Sequence, residues 1–292
     1  MPFVALVLAM ALWASTFVVL KVVFVEVSPL WVICARMWIA AIALLAMKRF
    51  WGKAHYQKGD WRLFAAMSLA EPCLYFVFEA KALLYTSAGQ AGMVTAVLPL
   101  LTVGGAVLVL KEKASPRLWL GLAMALVGVL WLSAAGTVSA DAPNPLLGNS
   151  LEFAAMVCAA IYSLSLKKLS DRYSPLWLTA IQAISGSLFF LPMALLSAPL
   201  PSDVSFHSMA AMLYLGLGVT LGAYGLYNFA MARLPAARVA VFVNLIPLFS
   251  LVMAMVLLNE RLSPSQLLAS SLVLLGVMVS QQGAARDEKN AA

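Results

Sequence analysis

Four ionisable side chains lie inside long apolar stretches of the sequence, where a charged group is costly unless it pairs with another charge or faces water. These are Arg36, Glu71, Glu79 and Lys81. In the third stretch, four residues are spaced three or four positions apart or adjacent to such a position, so they share one stripe of a helix. They are Glu71, Tyr75, Phe78 and Glu79. Lys81 points away from this stripe and lies near the end of the stretch, so we expect its ammonium group to extend to the membrane interface.

The stripe supports two interpretations of Glu79. In the first, its carboxylate binds the ammonium group of a substrate or carries a proton during transport. In the second, Glu79 or Glu71 forms a structural ion pair with Arg36 on the neighbouring apolar stretch. The sequence leaves both interpretations open.

A second stripe, in the eighth apolar stretch, combines aromatic rings with polar groups. Tyr224, Tyr227 and Asn228 lie there at helical spacing. Each tyrosine presents an apolar ring and a hydroxyl, so the group suits an amphipathic aromatic ligand. The alternative is ordinary packing between helices with satisfied hydroxyls.

Hydroxyl residues beside aromatic residues open each half of the chain. The first group comprises Trp13, Ser15, Thr16 and Phe17, and the second comprises Tyr162 and Ser163. Any one of these hydroxyls can simply bond the preceding turn of its own helix. Ser15 and Ser163 are related by the repeat described below, however, and this mirrored placement favours a role in binding substrate.

Two prolines, Pro99 and Pro247, occupy equivalent positions inside apolar stretches. Such a proline leaves the carbonyl four residues earlier, here that of Thr95 or Val243, without its usual hydrogen-bond donor. Interrupted helices at matching positions in two halves indicate a transport site or hinge. We therefore predict hinges at both prolines, with Thr95 and Asn244 near the substrate. A kink filled by neighbouring helices is the alternative.

The sequence lacks the residue patterns of enzymes and of cofactor sites. His55 and His207 lie near predicted loops and have no Cys, Asp or Glu at metal-ligand spacing. The three cysteines are far apart and indicate neither disulfides nor a metal site. No glycine-rich phosphate loop is present. We therefore expect no cofactor and no metal, and transport that depends on an ion gradient or on none.

Long apolar helices must position these side chains. Hydrophobic residues make up 63% of the 292 residues and charged residues 11%, whereas a soluble domain is about half apolar and about a quarter charged. The apolar stretches fall near 3–22, 29–47, 62–84, 90–110, 115–134, 148–168, 175–197, 207–232, 237–258 and 263–282. Isolated strands leave backbone groups unpaired in lipid. The predicted fold class is therefore an all-α membrane protein with ten transmembrane helices.

The basic residues predict the orientation of these helices. Of the 19 Lys and Arg residues, 15 lie in the loops after the even-numbered stretches or in the carboxyl-terminal tail. They include Lys53, Lys111, Lys113 and Arg238. Because basic residues concentrate in cytoplasmic loops, we expect a bacterial-type inner membrane protein with both termini in the cytoplasm. The same dispersal of charge argues against a nucleic-acid partner.

Short motifs recur in order at an offset of about 148 residues. The pairs are Pro99-Leu100 with Pro247-Leu248, Glu112-Lys113 with Glu260-Arg261, Ser115-Pro116 with Ser263-Pro264, and Gly128 with Gly276, and the SPLW motif at 28–31 recurs at 174–177. Each repeat holds five spans, an odd number, so the second must enter the membrane from the opposite face. We predict repeats at 3–133 and 148–282, a linker at 134–147 and a cytoplasmic tail at 283–292.

Several of these motifs together resemble the EamA-type transporters of the drug/metabolite transporter superfamily. They are the opening ALWASTF at 11–17, the Pro-Leu pairs inside spans, the glutamate and basic residue that close spans four and nine, and the Leu-Gly or Val-Gly pairs of spans five and ten. Ala14 departs from the pattern, because the family commonly has glycine there. The resemblance implies a ten-helix inverted repeat, alternating access, and a central cavity lined by spans one, three, four, six, eight and nine.

The same resemblance implies export of amino acids or related metabolites, and the aromatic stripes favour aromatic or bulky apolar amino acids. The expected partners are this small molecule and the lipid bilayer, with a role for proton coupling through Glu79. Transport of a cationic drug, a sugar phosphate or a nucleotide sugar is the alternative within the superfamily. An intramembrane enzyme is a further alternative, although the predicted spans contain no histidine except His207 at the first position of the eighth stretch.

Overall fold

The computed structural model describes residues 1–52, 54–110, 116–136, 138–197, 199, 203–234, 239 and 242–291. The residues Lys53, Lys111, Glu112, Lys113, Ser115 and Arg238, which entered the predictions of orientation and repeat, lie outside this range. Across the described residues the chain is helical and contains no β-strand, only two isolated β-bridges. The predicted all-α class is therefore confirmed.

Ten helical segments, named α1 to α10, occupy the described parts of the chain. They are α1 Pro2–Val23, α2 Pro29–Ala46, α3 Asp60–Tyr85, α4 (Ala88–Val94 and Leu98–Leu110 joined by a 3-10 turn), α5 Pro116–Ala134, α6 Pro145–Ser170, α7 Pro175–Ser197, α8 Phe206–Met231, α9 Leu245–Leu257 and α10 Pro264–Ala291. Six of them, α1, α2, α3, α6, α7 and α8, are long and apolar enough to cross a membrane. The other four contain shorter apolar helices.

Proline marks the start of many of these helices. The first helical residue is a proline in α1, α2, α5, α6, α7 and α10. A first-turn proline costs no hydrogen bond, because the first backbone N–H groups of a helix have no partner within it. The X-Pro steps of this sequence therefore set where most spans begin.

Two of the long helices are interrupted near their middle. In α3 a widened turn spans Leu69–Leu74 and contains Pro72, and Glu71 has a non-helical backbone with φ −144° and ψ 118°. In α8 a similar widened turn spans Tyr214–Ala223. Such turns often occur at functional sites, since they free backbone groups and re-aim side chains. Both interruptions adjoin the cavity described below.

The helices pack as a bundle in which α5 lies along α10, α2 against α7, and α9 against both α1 and α4. Gly128 and Gly276 allow α5 and α10 to approach closely. A Cβ atom on Gly128 would lie 2.8 Å from the backbone nitrogen of Val273, and one on Gly276 would lie 2.6 Å from that of Ala125. The largest buried cluster lies between α1, α2, α3, α6, α7, α8 and α9.

The connections between helices are tied down by polar contacts at both ends of the bundle. Arg172, after α6, forms an ion pair of 2.5 Å with Asp60 at the start of α3. At the other end, Glu26 accepts hydrogen bonds from Ser205 and Ser208 at the start of α8. The hydrogen bonds from Ser205, followed by that from Ser208, lower the pKa of the Glu26 carboxyl.

Candidate functional site

A cavity of about 580 Å³ lies in the middle of the bundle. Its walls are formed by Trp13, Thr16 and Phe17 of α1, Arg36 of α2, Glu71, Tyr75, Phe76 and Glu79 of α3, Thr95 and Leu98 of α4, Met156, Ala159, Tyr162 and Ser163 of α6, Tyr224 and Tyr227 of α8, and Val243 and Ile246 at the start of α9. A concave site with a mostly apolar wall and few polar groups is typical of a small-molecule site.

Ten of the fourteen residues predicted to bind substrate lie in this wall. They are Trp13, Thr16, Phe17, Tyr75, Glu79, Thr95, Tyr162, Ser163, Tyr224 and Tyr227. The wall comes from the six helices that the resemblance implied, with α2 added through Arg36. The structure thus brings residues from both halves of the chain to one place.

The other four predicted residues lie outside the cavity wall. Ser15 bonds the Tyr214 hydroxyl at 2.7 Å, and Phe78 packs against the apolar cluster between α4, α5 and α6. Asn228 accepts a hydrogen bond from Tyr162 at 3.1 Å and donates one to Thr179 at 2.8 Å. The Asn244 side-chain oxygen is buried and has no hydrogen-bond partner among the described residues. Asn228 therefore orients a wall residue, whereas Ser15 and Phe78 join helices.

An aromatic group forms one side of the cavity. The Trp13 ring lies edge-on to Tyr224 with ring centroids 5.2 Å apart, and its centroid is 4.9 Å from that of Tyr227. Tyr162 lies edge-on to Tyr224 at 6.2 Å. Edge-to-face contacts of this kind hold the rings in fixed orientations. The Trp13 indole nitrogen is buried and has no acceptor among the described residues.

Each cavity carboxyl is held by a tyrosine. Tyr75 donates to Glu79 at 2.9 Å, one helical turn away, and Tyr224 donates to Glu71 from α8. Because Glu71 sits in the interrupted turn of α3, its side chain reaches across to α8 instead of continuing the stripe. Both carboxyls are buried, with exposures of 5% for Glu71 and 4% for Glu79.

Arg36 differs from its predicted role as the direct partner of these carboxyls. Its Nε donates to the Thr220 hydroxyl at 3.1 Å, and its guanidinium lies 4.4 Å from the centre of the Phe76 ring. No direct ion pair between Arg36 and Glu71 or Glu79 is formed among the described residues, and the guanidinium instead lies between Thr220 of α8 and the Phe76 ring of α3. Among the described residues the only ion pair is that between Arg172 and Asp60. The Nη1 nitrogen of Arg36 is left without a partner in the same range.

Helix interruptions accompany both predicted hinge prolines. Before Pro99, α4 tightens into a 3-10 turn at Thr95–Val97, and the Thr95 hydroxyl donates to the Gly92 carbonyl at 2.7 Å. Pro247 lies in the first turn of α9, which begins at Leu245 after a turn at Asn244. The chain is therefore not continuously helical at either place. Motion at these points remains a prediction.

One ionisable residue inside a predicted span, Glu152, is absent from the group selected from the sequence. Glu152 of α6 is fully buried, and neither of its carboxyl oxygens has a hydrogen-bond partner among the described residues. It lies inside the predicted span 148–168, so a count of charges within spans would have found it. Its neighbour Asn149 centres a buried polar network with Thr86, Gln90 and Ser133.

Comparison with known proteins identifies a family for both halves of the chain. The family model described as EamA-like transporter family matches residues 1–134 and 146–281. A solved crystal structure superposes with a TM-score of 0.70 at 19% identity over 98% of both chains, which shows a shared fold.

The relatives include transporters described without a substrate and exporters described with one. An uncharacterized transporter of Archaeoglobus fulgidus is 29% identical over 88% of this chain and 89% of its own length. A probable terminal-alkyne amino-acid exporter of Streptantibioticus cattleyicolor is 26% identical over 94% and 91%. The threonine/homoserine exporter RhtA of Escherichia coli is 29% identical over 49% and 48%. Since the family model matches both halves, this chain belongs to the EamA-like transporter family and is a multi-pass membrane transporter rather than an enzyme.

Proposed function

We propose that this transporter exports amino acids with aromatic or bulky apolar side chains, and that the substrate binds in the central cavity. The observation that carries the proposal is the placement of an unpaired Arg36 nitrogen and the Glu79 carboxyl in one aromatic cavity. An amino acid carries a carboxylate, an ammonium group and a side chain, and the cavity offers a complementary group for each.

The charges of the cavity distinguish a zwitterion from other ligands. Arg36 can donate charge-assisted hydrogen bonds from Nη1 to a substrate carboxylate. Glu79, with Glu71 near it, can accept from a substrate ammonium group. The rings of Trp13 and Tyr227 offer an apolar and aromatic surface for the side chain. Arg36 is the only basic residue in the wall, so the doubly charged phosphates of a nucleotide sugar would remain poorly compensated.

We further propose that ten spans form two inverted repeats that alternate access to this cavity. Reciprocal contacts support the proposal. Gly128 packs against Val273, and Gly276 packs against Ala125. At the repeat offset of 148, Gly128 corresponds to Gly276 and Ala125 corresponds to Val273, so the two contacts are equivalent. The interruptions near Pro99 and Pro247 are likewise paired. Rocking of one repeat against the other would then expose one fixed site to each side in turn.

The match of the family model in two segments, 1–134 and 146–281, supports the proposal of two repeats, for which we keep the bounds 3–133 and 148–282. The names of the relatives favour amino acids, because two of those compared are described as amino-acid or threonine/homoserine exporters. Location in a bacterial-type inner membrane with cytoplasmic termini belongs to the same proposal and rests on the distribution of basic residues.

An organic cation is the second candidate substrate. The cavity wall holds two carboxyls and one guanidinium, so an ammonium group alone is also electrostatically acceptable. The two candidates differ in whether the substrate has a carboxylate. An amino acid has one and would need Arg36 to bind it, whereas an organic cation has none and would not need Arg36.

The test is counterflow of labelled phenylalanine in proteoliposomes, with two competitors that each lack one charge. Phenethylamine lacks the carboxylate, and 3-phenylpropionate lacks the ammonium group. We expect phenylalanine to exchange, and unlabelled phenylalanine to compete better than either analogue. Arg36→Gln should weaken phenylalanine binding by about 10- to 100-fold, the value of one or two charge-assisted hydrogen bonds.

Arg233→Gln is the matched control for this substitution. The Arg233 guanidinium also lies over an aromatic ring, 3.7 Å from the centre of Phe229, but it is exposed at the end of α8. Its loss should leave phenylalanine binding within about twofold of the wild type, as for an exposed pair. Phenethylamine competing as well as phenylalanine, with no effect of Arg36→Gln, would favour the organic-cation candidate. Absence of exchange for every amino acid tried would exclude the proposed substrate class.

A further inference from the structure

Glu152 is a buried carboxyl that the proposed binding of substrate does not use. Its side chain has 0% exposure, and neither oxygen has a hydrogen-bond partner in the described parts of the chain. An ionised carboxylate without a partner inside a membrane protein costs several kcal/mol. Glu152 is therefore most stable in its neutral form, with a proton bound.

Glu152 lies on α6 between the cavity wall and a buried polar network, and it makes no hydrogen bond to either among the described residues. Met156, Ala159 and Ser163 of α6 lie in the cavity wall, and Glu152 precedes Met156 by one helical turn on the same face. Three residues earlier, Asn149 donates to Gln90 and Ser133, both at 3.1 Å, and accepts from Thr86 at 2.8 Å. Polar groups thus continue from the cavity towards the amino-terminal end of α6.

The charged and titratable groups near Glu152 come from α3. Glu79 interacts with it electrostatically, and Tyr75, whose hydroxyl donates to Glu79, is within electrostatic range of both carboxyls. On the sides of α4 and α5, the network residues Gln90 and Ser133 are uncharged. No described lysine, arginine or histidine interacts with Glu152. Two carboxyls that repel one another and lack a shared cation cannot both be ionised at low cost.

We propose that Glu152 is a second proton-binding site of the transporter, which supplies the proton that releases substrate from Glu79. While substrate is bound, Glu79 is ionised beside the substrate ammonium group and Glu152 is protonated. The O–H bond of Glu152 then breaks and an O–H bond forms on Glu79. The ammonium group loses its counter-ion and leaves, and Glu152 takes a new proton from water at the amino-terminal end of α6.

This inference rests on the proposed function and deepens it. The predicted orientation places the amino-terminal end of α6 on the periplasmic side, where an exported substrate leaves. One proton would enter for each substrate exported, because Glu79 gives up its proton on the cytoplasmic side when the next ammonium group binds. Glu152 is suited to a proton and not to the substrate itself, since it is outside the cavity wall and inaccessible.

The first test needs no substrate. Infrared spectra of purified protein at neutral pH should show the carbonyl stretch of protonated carboxylic acids, and Glu152→Gln should remove the part of that band due to Glu152 while preserving the shape of the residue; the part due to Glu79, which is protonated when no substrate is bound, should remain. Glu26→Gln is the matched control, because Glu26 is an exposed carboxyl whose hydrogen bonds favour its ionised form. A spectrum unchanged by Glu152→Gln would overturn the proposal.

The second test measures coupling in proteoliposomes that contain labelled phenylalanine. A proton gradient should accelerate efflux by the wild type and by Glu26→Gln, and should have no effect on Glu152→Gln, whose own efflux stays above that of protein-free liposomes. Acceleration of Glu152→Gln equal to that of the wild type would overturn the relay. If the wild type exchanges phenylalanine but ignores the gradient, the relay fails and the proposed function stands. If the wild type exchanges no amino acid, the proposed function fails and the relay falls with it.

Discussion

Asn149 provides a quantitative test of how the start of α6 is held in the bundle. Its amide, 1% exposed, makes three side-chain hydrogen bonds that join α6 to Thr86 after α3, Gln90 of α4 and Ser133 of α5. Leucine has the same branching and the same number of side-chain heavy atoms as asparagine but no polar atoms, so Asn149→Leu deletes all three bonds without opening a cavity. Ser133 keeps its bond to the Val129 carbonyl at 2.7 Å, whereas the other two partners lose the bond that they make to Asn149.

The expected loss follows from the number of bonds. Side-chain hydrogen bonds in membrane proteins average about 0.6 kcal/mol and reach about 1.7 kcal/mol, so three of them give a decrease of about 2 kcal/mol, with an upper limit of about 5 kcal/mol. The assay is reversible unfolding in mixed detergent micelles followed by tryptophan fluorescence and circular dichroism.

The adjacent serine offers the control. Ser150 is exposed and bonds only the Leu146 carbonyl of its own helix at 2.7 Å, so Ser150→Ala should change the free energy of unfolding by less than about 0.5 kcal/mol. A decrease for Asn149→Leu no larger than that of the control would refute the conclusion that this network holds the four helices together.

Three further predictions concern the cavity, the helix contacts and the loops. Glu79→Gln should weaken competition by phenethylamine about 10- to 100-fold and leave that by 3-phenylpropionate nearly unchanged; equal effects on both analogues would contradict an ammonium site at Glu79. Gly276→Ala should lower the free energy of unfolding by about 1–3 kcal/mol, because its Cβ would meet backbone atoms of α5. Gly104→Ala, with no atom within 4 Å of its Cβ, should not destabilise the protein, and a loss equal to that of Gly276→Ala would refute this packing. The hydrogen bonds that lower the pKa of Glu26 stabilise the fold fully above the ordinary carboxyl range of about pH 4.3, and that stabilisation is lost as the pH falls through the lowered pKa. Glu26→Gln should therefore lower the melting temperature at neutral pH but not in acid, and a pH-independent difference would rule out this linkage.

Much of the site followed from periodicity and from the repeat. Tyr75 and Glu79 both lie in the regular segment Tyr75–Tyr85, so the one-turn spacing that predicted a shared stripe also allows their hydrogen bond. Tyr162 and Ser163 were selected because they mirror the polar and aromatic residues of the first span, and both lie in the cavity wall. Such local and internal regularities are properties of the sequence itself.

The errors arose where regularity breaks or where tertiary contacts decide. The predicted stripe on the third span assumed one continuous helix, but the turn that contains Pro72 interrupts it, and Glu71 bonds Tyr224 of α8 while still lining the cavity. Phe78 lies in the regular segment but faces the apolar cluster beside the cavity, because it is at the edge of the stripe. The partner of Arg36 depends on which side of α2 faces α8, and nothing in the spacing of charges identifies Thr220. Asn228 lies on the predicted face, but its side-chain amide is already hydrogen-bonded to Tyr162 and Thr179, which belong to other helices.

The most direct test of the central claim is an experimental structure with a transported amino acid bound. We expect the ligand in the cavity between α1, α3 and α8, with its carboxylate against Arg36, its ammonium group against Glu79 and its side chain beside Trp13 and Tyr227. A ligand bound elsewhere, or bound in the cavity with its carboxylate away from Arg36, would contradict the account.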